Sequence, residues 1–327
     1  MKYDDVIYGP TTINEPVLLA LLETDALQRL RGILQHGISG LIGVTEPTTR
    51  LDHSLGTMIL VRQLGATIEE QIAALLHDVS HTAFSHVIDY VFDDHQKQSY
   101  HEVKKQDFIA ETKIPTVLAQ FGYRWQEFLE EEKFSLLEQP APRLCADRLD
   151  YFLRDAPPLG LATDNDIKTT LGNLIVSNDR IAVQDFKTAQ WLGYTFIAAD
   201  DASWANFDEV GLYELTARAI KRGFQVGAIS KEHLWGEDRA LWAQLHSHPD
   251  PALQEQLALI SSETCFVWDK ENPTFSVNTK IRTIDPDVVV ESKLHPLSTL
   301  DADFAQHRQN YLSRKAGKWP MRVVAKR

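Results

Sequence analysis

Cysteine is scarce in this chain of 327 residues, and long apolar runs are missing altogether. The two cysteines, Cys145 and Cys265, are too few for a disulfide framework and too far apart for a CxxC metal-binding motif. No apolar stretch approaches the roughly 20 residues that cross a bilayer, and the first residues lack the basic and apolar regions of a secretion signal. We therefore expect a cytoplasmic protein with reduced thiols and no membrane partner.

An excess of positive charge is also lacking. The chain holds 33 Lys and Arg against 46 Asp and Glu, a formal net charge of -13. Gripping nucleic acid requires many cations that neutralise phosphates, so we do not expect a nucleic-acid partner. A small anionic ligand is compatible with this charge, because a bound metal and a few arginines can reverse the potential inside one pocket. The segment 308–327 shows no apolar periodicity, and its basic residues are predicted to form a solvated tail: Arg314, Lys315, Lys318, Arg322, Lys326 and Arg327.

Helical periodicity dominates the sequence. Apolar residues make up 43% of the chain and charged residues 24%, as in ordinary globular proteins. One predicted helix runs from Pro16 to Ile33 with Asn14 as its cap, whereas Leu174 to Gln184 alternates like a β-hairpin. Further helices are predicted at 51–64, 68–78, 83–92 and 141–155. We predict a mainly α fold with small β-hairpin appendages, as a single domain of residues 1–327 with a helical core at about 14–245 and a β-containing C-terminal extension at about 260–327.

A histidine-aspartate doublet is the clearest sign of chemistry. The apolar run Ile72 to Leu76 ends in His77 and Asp78, and Thr67 to Glu70 resembles a capping box at the start of the same helix. Imidazole and carboxylate suit a divalent metal, and an ionisable pair at the end of an apolar helix costs stability unless something compensates its desolvation. His53 and Asp147 are further candidates. Taken singly, each of these side chains favours an ordinary structural role.

The order His53, His77-Asp78, Asp147 matches the H…HD…D pattern and resembles the HD-domain metal-dependent phosphohydrolases. Within that family, the chain is similar to deoxynucleoside triphosphate triphosphohydrolases. Five collinear blocks carry this narrower resemblance: Gln28 to Gly37, Arg50 to Gly56, Leu75 to His86, Tyr100 to Glu102 and Asp147 to Asp155.

The resemblance implies an HD-domain helical fold and an enzyme that uses one divalent metal ion. The ligands would be His53, His77, Asp78 and Asp147, and this donor set is compatible with Fe, Mn, Ni, Zn, Co or Mg. The implied substrate is a nucleotide, with the best match a dNTP that is split into deoxynucleoside and triphosphate. Besides Asp78, the implied catalytic residues are His86, as general acid or base, and His101, which helps hold the phosphates.

The resemblance also implies substrate contacts. Arg50 matches a phosphate-binding arginine, and Arg148 stands where the subgroup has a phosphate-binding lysine. Tyr151, Asp155 and Gln35 match residues that line the sugar. Other readings stay open at this point: Tyr151 could be a core residue, Asp155 a charge at a helix end, and both arginines surface cations.

The chain departs from the subgroup in several places. Ser80 replaces the glycine of HDxGH, and the later pocket arginine has only Arg218 and Arg222 as candidates. Glu23, Gln28 and Arg31 resemble part of a GTP or dNTP activator site. The alternative, which we favour, is that they form a charged helix face. A homo-oligomer is compatible with either interpretation. Alternative functions are the same chemistry on an NMP, NTP, cyclic or alarmone nucleotide, and a non-catalytic nucleotide-binding scaffold. His81 is predicted to support the metal ligands, and a second metal that uses His86 or His101 stays open.

Overall fold

The computed structural model describes residues 1–93 and 95–324, which form helices accompanied by three small sheets. An antiparallel hairpin of β1 (Lys2–Asp5) and β2 (Gly9–Thr12) precedes α1 (Pro16–Leu22), α2 (Asp25–Gln28), a 3₁₀ turn (Arg29–Gly32) and α3 (Ile38–Leu41). The single helix predicted from Pro16 to Ile33 is therefore wrong. The Thr24 hydroxyl accepts from the Leu27 amide, so it starts a new helix where the first one ends. Asn14 makes no cap, since the N-cap position of α1 is Glu15.

Two packed helices form the centre of the molecule, α4 (Arg50–Gln63) and α5 (Ile68–Leu76). Thr49 and Asp52 build a reciprocal capping box that fixes the start of α4, three residues before His53 is reached along the helix. The Thr67 side chain caps α5 as predicted. Its expected partner Glu70 instead accepts from the amides of Leu136 and Leu137, which ties a later loop to the start of α5.

The segment after His77 is less helical than predicted. Phe84 and Ser85 have φ values of 62° and 49°, so the chain turns sharply there and only α6 (Val87–Val91) forms within the predicted 83–92 helix. The next elements are α7 (Tyr100–Ala110), α8 (Ile114–Gln120), two 3₁₀ turns (Trp125–Phe128 and Glu131–Lys133), α9 (Ala146–Asp155) and α10 (Asp164–Asn173).

The predicted hairpin is confirmed as β3 (Leu174–Ser177) and β4 (Arg180–Val183), which pair antiparallel. Asn178 and Asp179 at its tip have φ values of 51° and 56°, as a type I′ turn requires. Strand β4 also pairs in parallel with β7 (Asp287–Val290), and β8 (Lys293–Pro296) completes a four-stranded sheet of order β3-β4-β7-β8.

The remaining helices follow α10 in the second half of the chain. They are α11 (Phe186–Ala199), a π-helical turn (Asp200–Trp204), α12 (Phe207–Val226), a 3₁₀ turn (Lys231–Trp235), α13 (Asp238–Ser247), α14 (Pro251–Ala258), α15 (Leu297–Leu300) and α16 (Ala302–Lys315).

The predicted solvated tail is wrong over the residues that the structure describes. Part of it forms α16, and the part after Gly317 forms β9 (Trp319–Val324), the central strand between β5 (Cys265–Trp268) and β6 (Phe275–Val277). Trp319 and Met321 are buried in this sheet, so the strand is fixed by its alternating apolar side chains. Lys326 and Arg327 lie outside the described residues.

The fold is mainly α with small β elements, as predicted. Two clusters of buried apolar side chains support it, one around α1, α4, α5, α9 and α11, and one around α6, α12, α13, α14 and the β5-β9-β6 sheet. No helix within residues 1–93 and 95–324 combines the length and apolar character that crossing a membrane requires.

Candidate metal centre and substrate cavity

Three helices bring the predicted metal ligands together. His53 lies in the first turn of α4, His77 follows the last residue of α5, and Asp147 lies in the first turn of α9. His53 Nε2 is 3.0 Å from Asp147 Oδ1 and 3.1 Å from His77 Nε2. The Asp78 carboxylate oxygens are 3.7 Å from His53 Nε2 and 3.6 Å from His77 Nε2. We call these four side chains the metal floor.

The far side of each imidazole is already bonded. His53 Nδ1 donates to Asp150 Oδ2 over 2.7 Å, and His77 Nδ1 donates to the Ala74 carbonyl over 2.7 Å. Both Nε2 lone pairs therefore point toward each other and toward the carboxylates of the metal floor. Lone pairs 3.1 Å apart repel unless a cation lies between them, and two imidazoles with two carboxylates suit a divalent metal. The donor chemistry of the metal floor thus fits the ion that the sequence predicts.

Charge strengthens this fit. Burial alone would lower the pKa of His53, but Asp147 and Asp150, which hydrogen-bond to it, and the neighbouring Asp78 raise it to about 10. Burial likewise opposes the charge on His77, yet the Asp78 carboxylate raises its pKa. The potential between these side chains is therefore negative enough to stabilise a cation there.

Three further histidines beside the metal floor have lowered pKa values, whereas those of His53 and His77 are raised. Burial and the Arg50 guanidinium lower the pKa of His81 to about 3, and burial also lowers the pKa values of His86 and His101. His81 and His101 stack with ring centroids 3.8 Å apart, and His81 Nε2 is 3.2 Å from Asp78 Oδ1. Asp78, His81 and His101 thus form a second group whose donor atoms are close enough to hold a metal. His86 Nδ1 bonds the buried Asp89 carboxylate over 3.1 Å.

Arg50 lies beside the metal floor and is buried. Its Nη1 donates to Asp78 Oδ2 over 2.7 Å, its Nε to the Ser85 hydroxyl over 3.0 Å, and its Nη2 to the Gln35 carbonyl over 3.3 Å. The sharp turn at Phe84 and Ser85, where the sequence suggested helix, thus places a hydroxyl that orients this guanidinium. Ser80, the departure from the subgroup pattern, donates to the His101 carbonyl over 3.0 Å and links the turn after Asp78 to α7.

Asp238 fixes the two loops that hold Arg50. Its carboxylate accepts from the Leu34 amide over 2.9 Å and from the Phe84 amide over 2.7 Å. Ser85 closes the ring by donating to the Leu34 carbonyl over 2.6 Å. Asp238 is fully buried at the start of α13, and burial raises its pKa to about 7. Sequence reasoning missed it, because an aspartate in the first turn of a helix is an ordinary helix-start residue.

A cavity of about 370 Å³ opens above the metal floor. Tyr151 forms part of its wall, with ring centroids 4.8 Å from Trp204 and 6.0 Å from Phe196. Gln35 also lines the cavity, and its side-chain carbonyl is buried without a hydrogen-bond partner within residues 1–93 and 95–324. Arg148 faces the cavity from the side, where it donates to Glu138 over 2.7 Å. His86 and His101 line the cavity too.

Asp155 is the one predicted site residue that does not line this cavity. Its Oδ1 is 3.0 Å from His36 Nε2, and its Oδ2 accepts from Trp204 Nε1 over 2.7 Å. It lines a neighbouring cavity of about 580 Å³, and His36 and Glu209 border both cavities. Asp155 therefore lies behind the aromatic wall, with both carboxylate oxygens bonded.

Sequence reasoning also missed three cations that face the metal floor across the cavity: Lys280, Arg282 and Arg308. We call them the cation wall. The first two belong to an irregular segment and the third to α16, so no local pattern marks them. The arginines considered in their place lie elsewhere, since Arg218 pairs with Glu214 and Arg222 with Asp250.

The residues suggested for an activator site lie on an exposed surface. Arg31 Nε donates to Gln28 Oε1 over 2.9 Å, and Glu23, Gln28 and Arg31 are all exposed.

Comparisons with known proteins agree with this geometry. Residues 50–155 match the family model of the HD domain. The chain is 38% identical over 317 residues to the metal-dependent phosphohydrolase cns2 of Cordyceps militaris, a match that covers 94% of this chain and 91% of the relative. The deoxynucleoside triphosphate triphosphohydrolase SAMHD1 of Danio rerio is more distant, at 27% identity over 52% of this chain and 35% of the relative.

A solved phosphohydrolase structure from Bacteroides thetaiotaomicron has a TM-score of 0.74 and 17% identity, with 100% of both chains covered. At that identity the likeness concerns the fold alone, and the fold is the one that the sequence predicted. The similarity to cns2 extends over nearly the whole of both chains and includes every side chain of the metal floor within its span. This chain therefore belongs to the HD-domain family of metal-dependent phosphohydrolases.

Proposed function

We propose that this protein hydrolyses a phosphoester bond of a nucleotide with one divalent metal held by His53, His77, Asp78 and Asp147. The observation that carries the proposal is the convergence of these four donors beneath a cavity that also holds unbonded polar groups and cations. When bound, such a metal lowers the pKa of water and neutralises charge on a phosphoryl oxygen.

The surrounding side chains would supply binding and proton transfer. Arg50 holds a phosphate with a guanidinium that Asp78, Ser85 and the Gln35 carbonyl already orient. His86 is uncharged near neutral pH and donates from Nδ1 to Asp89, so its Nε2 can accept a proton and then pass it on. His101 lies beside it, with ring centroids 5.6 Å apart, and would help hold the phosphates.

Within this class we propose a dNTP as the substrate, split into deoxynucleoside and triphosphate. Tyr151 would form a flat wall for the sugar, the free Gln35 side-chain carbonyl would accept a hydrogen bond from it, and Arg148 would add a phosphate contact. A sugar contact by Asp155 would require this carboxylate to give up its bond to His36 or to Trp204.

The second candidate is the same chemistry on a ribonucleotide, an NTP or an NMP. The bonded state of Asp155 favours it, because a sugar hydroxyl then has no free carboxylate to bind and selection of deoxyribose loses one of its supports. A binding-only scaffold is the third reading. We disfavour it because a metal floor in which both imidazoles are oriented from behind is more than nucleotide binding requires.

The test is hydrolysis by metal-reconstituted protein of a panel of dNTPs, NTPs, NMPs and cyclic nucleotides, with and without GTP. We expect triphosphate release from dNTPs. Hydrolysis of NTPs or NMPs as fast as that of dNTPs would support the second candidate, and stimulation by GTP would support an activator site at Glu23, Gln28 and Arg31. Metal binding without hydrolysis of any panel member would contradict the proposed enzyme.

A further inference from the structure

The cations around the cavity fall into two groups. Arg50 pairs with Asp78 and Arg148 pairs with Glu138, each at 2.7 Å. Lys280, Arg282 and Arg308, in contrast, form no ion pair with any carboxylate in the part of the chain that the structure describes. Three like charges facing one cavity repel one another, so the cation wall is an electrostatic arrangement that an anion would complete.

Hydrogen bonds hold the two arginines of the cation wall in place. Arg282 donates from Nη2 to the Gln98 side-chain carbonyl over 2.5 Å, and its backbone amide donates to the Asp200 carboxylate over 2.9 Å. Arg308 Nε donates to the Thr283 hydroxyl over 2.9 Å. Gln98 and Thr283 orient the guanidinium groups without cancelling their charge, whereas Asp200 binds the backbone of Arg282 and forms no ion pair with its guanidinium within the described residues. Each guanidinium keeps further N–H groups for a ligand.

The cation wall is also close enough to act on the proposed chemistry. Besides burial and Arg50, Arg282 and Lys280 contribute to the lowered pKa of His86. Two carboxylates at the cavity edge pair with other cations, Glu131 with Lys105 and Glu138 with Arg148. Burial and Arg282 lower the pKa of Lys280, and the charges of Glu102 and Asp147 offset this lowering only in part.

We propose that Lys280, Arg282 and Arg308 form an anion subsite that binds the phosphates of the substrate other than the one held at the metal floor. This inference rests on the proposed function and deepens it, because it selects a substrate with two or three phosphates over a monophosphate. Planar guanidinium groups and a mobile ammonium suit the spaced oxygens of a polyphosphate chain.

The experiment measures binding of tripolyphosphate and of orthophosphate to the full chain by titration calorimetry, in buffer saturated with the reconstituting metal. The variants are Lys280→Ser, Arg308→Gln and their combination. Lys318→Ser, an exposed position away from the cavity, is the control that removes the same charge. We leave Arg282 unchanged because it also anchors Gln98.

We expect each single variant to weaken tripolyphosphate binding by about 10-fold and the combination by about 100-fold, since each removes one charge-assisted contact. Orthophosphate binding should change by less than about 2-fold, because it engages Arg50 and the metal floor alone. Equal losses for both anions, or no loss in the combined variant, would overturn the subsite.

The two proposals fail in different ways. Selective loss of tripolyphosphate binding in a protein that hydrolyses no nucleotide would support the subsite and contradict the enzyme. Nucleotide hydrolysis by the wild type with unchanged tripolyphosphate binding in the variants would support the enzyme and contradict the subsite.

Discussion

The metal floor and the cation wall face each other across one cavity but are built in different ways. His53, His77 and Asp147 project from three helices within residues 50–155, and their imidazoles are bonded from behind by Asp150 and Ala74. The cation wall comes from an irregular segment and α16, and the Gln98 amide, the Thr283 hydroxyl and the Asp200 carboxylate hold its arginines. The difference fits the proposed roles, a buried centre for the reaction and a more exposed wall for the ligand.

The largest expected effect comes from His77→Ala, which removes one donor of the metal floor. Loss of this ligand should remove the metal and lower turnover by about 10³-fold or more, because metal-assisted catalysis supplies several kcal/mol of barrier lowering. Metal content by mass spectrometry and turnover on the panel substrate check this together. His246→Ala, at an exposed site on α13, is the control. Full turnover in the His77 variant would rule out the assignment of the metal floor.

Asp150→Asn loosens the floor without removing a ligand. Asp150 accepts from His53 Nδ1 and is itself held by Arg154, with Nε 2.7 Å away. We expect metal affinity to fall by about 10-fold to 100-fold, the usual range for the group behind a ligating histidine. Competition with a metal-binding dye measures it. An unchanged affinity would mean that the buried carboxylate does not orient His53.

Asp238→Asn tests the connection between the floor and the loops around it. One of the two amides that Asp238 accepts from would then face an NH₂ group, so Arg50 should lose its alignment. We expect KM to rise by about 10-fold and the folded state to lose about 1 to 3 kcal/mol. Asp164→Asn, at the exposed first position of α10, is the matched control. A variant that shifts neither KM nor stability would contradict this positioning role.

The same variant gives a pH dependence with a definite sign. The pKa of Asp238 is about 7 in the folded protein and has an ordinary value of 3.8, so the folded state holds a proton that the unfolded chain has released between those values. Its contribution to stability is therefore present below about pH 4 and is lost as the pH rises toward 7. Denaturant unfolding at pH 5 and pH 8 should show a larger gap between wild type and variant at pH 5. A gap that grows with pH would contradict the raised pKa.

The smallest expected effect is the response of the metal floor and the cation wall to salt. Raising NaCl from about 0.1 M to about 1 M shortens the Debye length from about 10 Å to about 3 Å, which screens exposed charges far more than buried ones. We expect KM to rise about 3-fold to 10-fold, while metal affinity changes less. Equal salt sensitivity of KM and of metal affinity would contradict the distinction between a buried metal floor and an exposed cation wall. Sodium sulfate should be avoided, since sulfate would itself compete for the cation wall.

The sequence reveals the His77-Asp78 doublet and most helices because their signals are local, whereas His53 and Asp147 are joined to the doublet by the family resemblance. Adjacent His77 and Asp78 after an apolar helix, and Asn178-Asp179 in a hairpin, are fixed by chemistry within a few residues. The roles assigned to the floor stay a prediction, although its donors do come together. Spacing alone could not reveal the break at Thr24, where a hydroxyl at the end of one helix caps the next.

Tertiary contacts decide the features that the sequence hides. Strand β9 looked like a solvated basic tail, but its alternating Trp319 and Met321 fill a sheet whose other strands precede it by about 40 to 60 residues of sequence. Arg308 lines the cavity because α16 packs beside it, a placement that no local pattern predicts. Tyr311 of α16 helps fix that packing by donating to Asp200 over 2.8 Å.

The metal floor is tested most directly by an anomalous difference map from crystals of manganese-reconstituted protein, collected at the manganese absorption edge. We expect the strongest peak of the map between the Nε2 atoms of His53 and His77 and the carboxylates of Asp78 and Asp147. A peak only among Asp78, His81 and His101, or no peak in the cavity, would contradict the metal floor as the reaction centre.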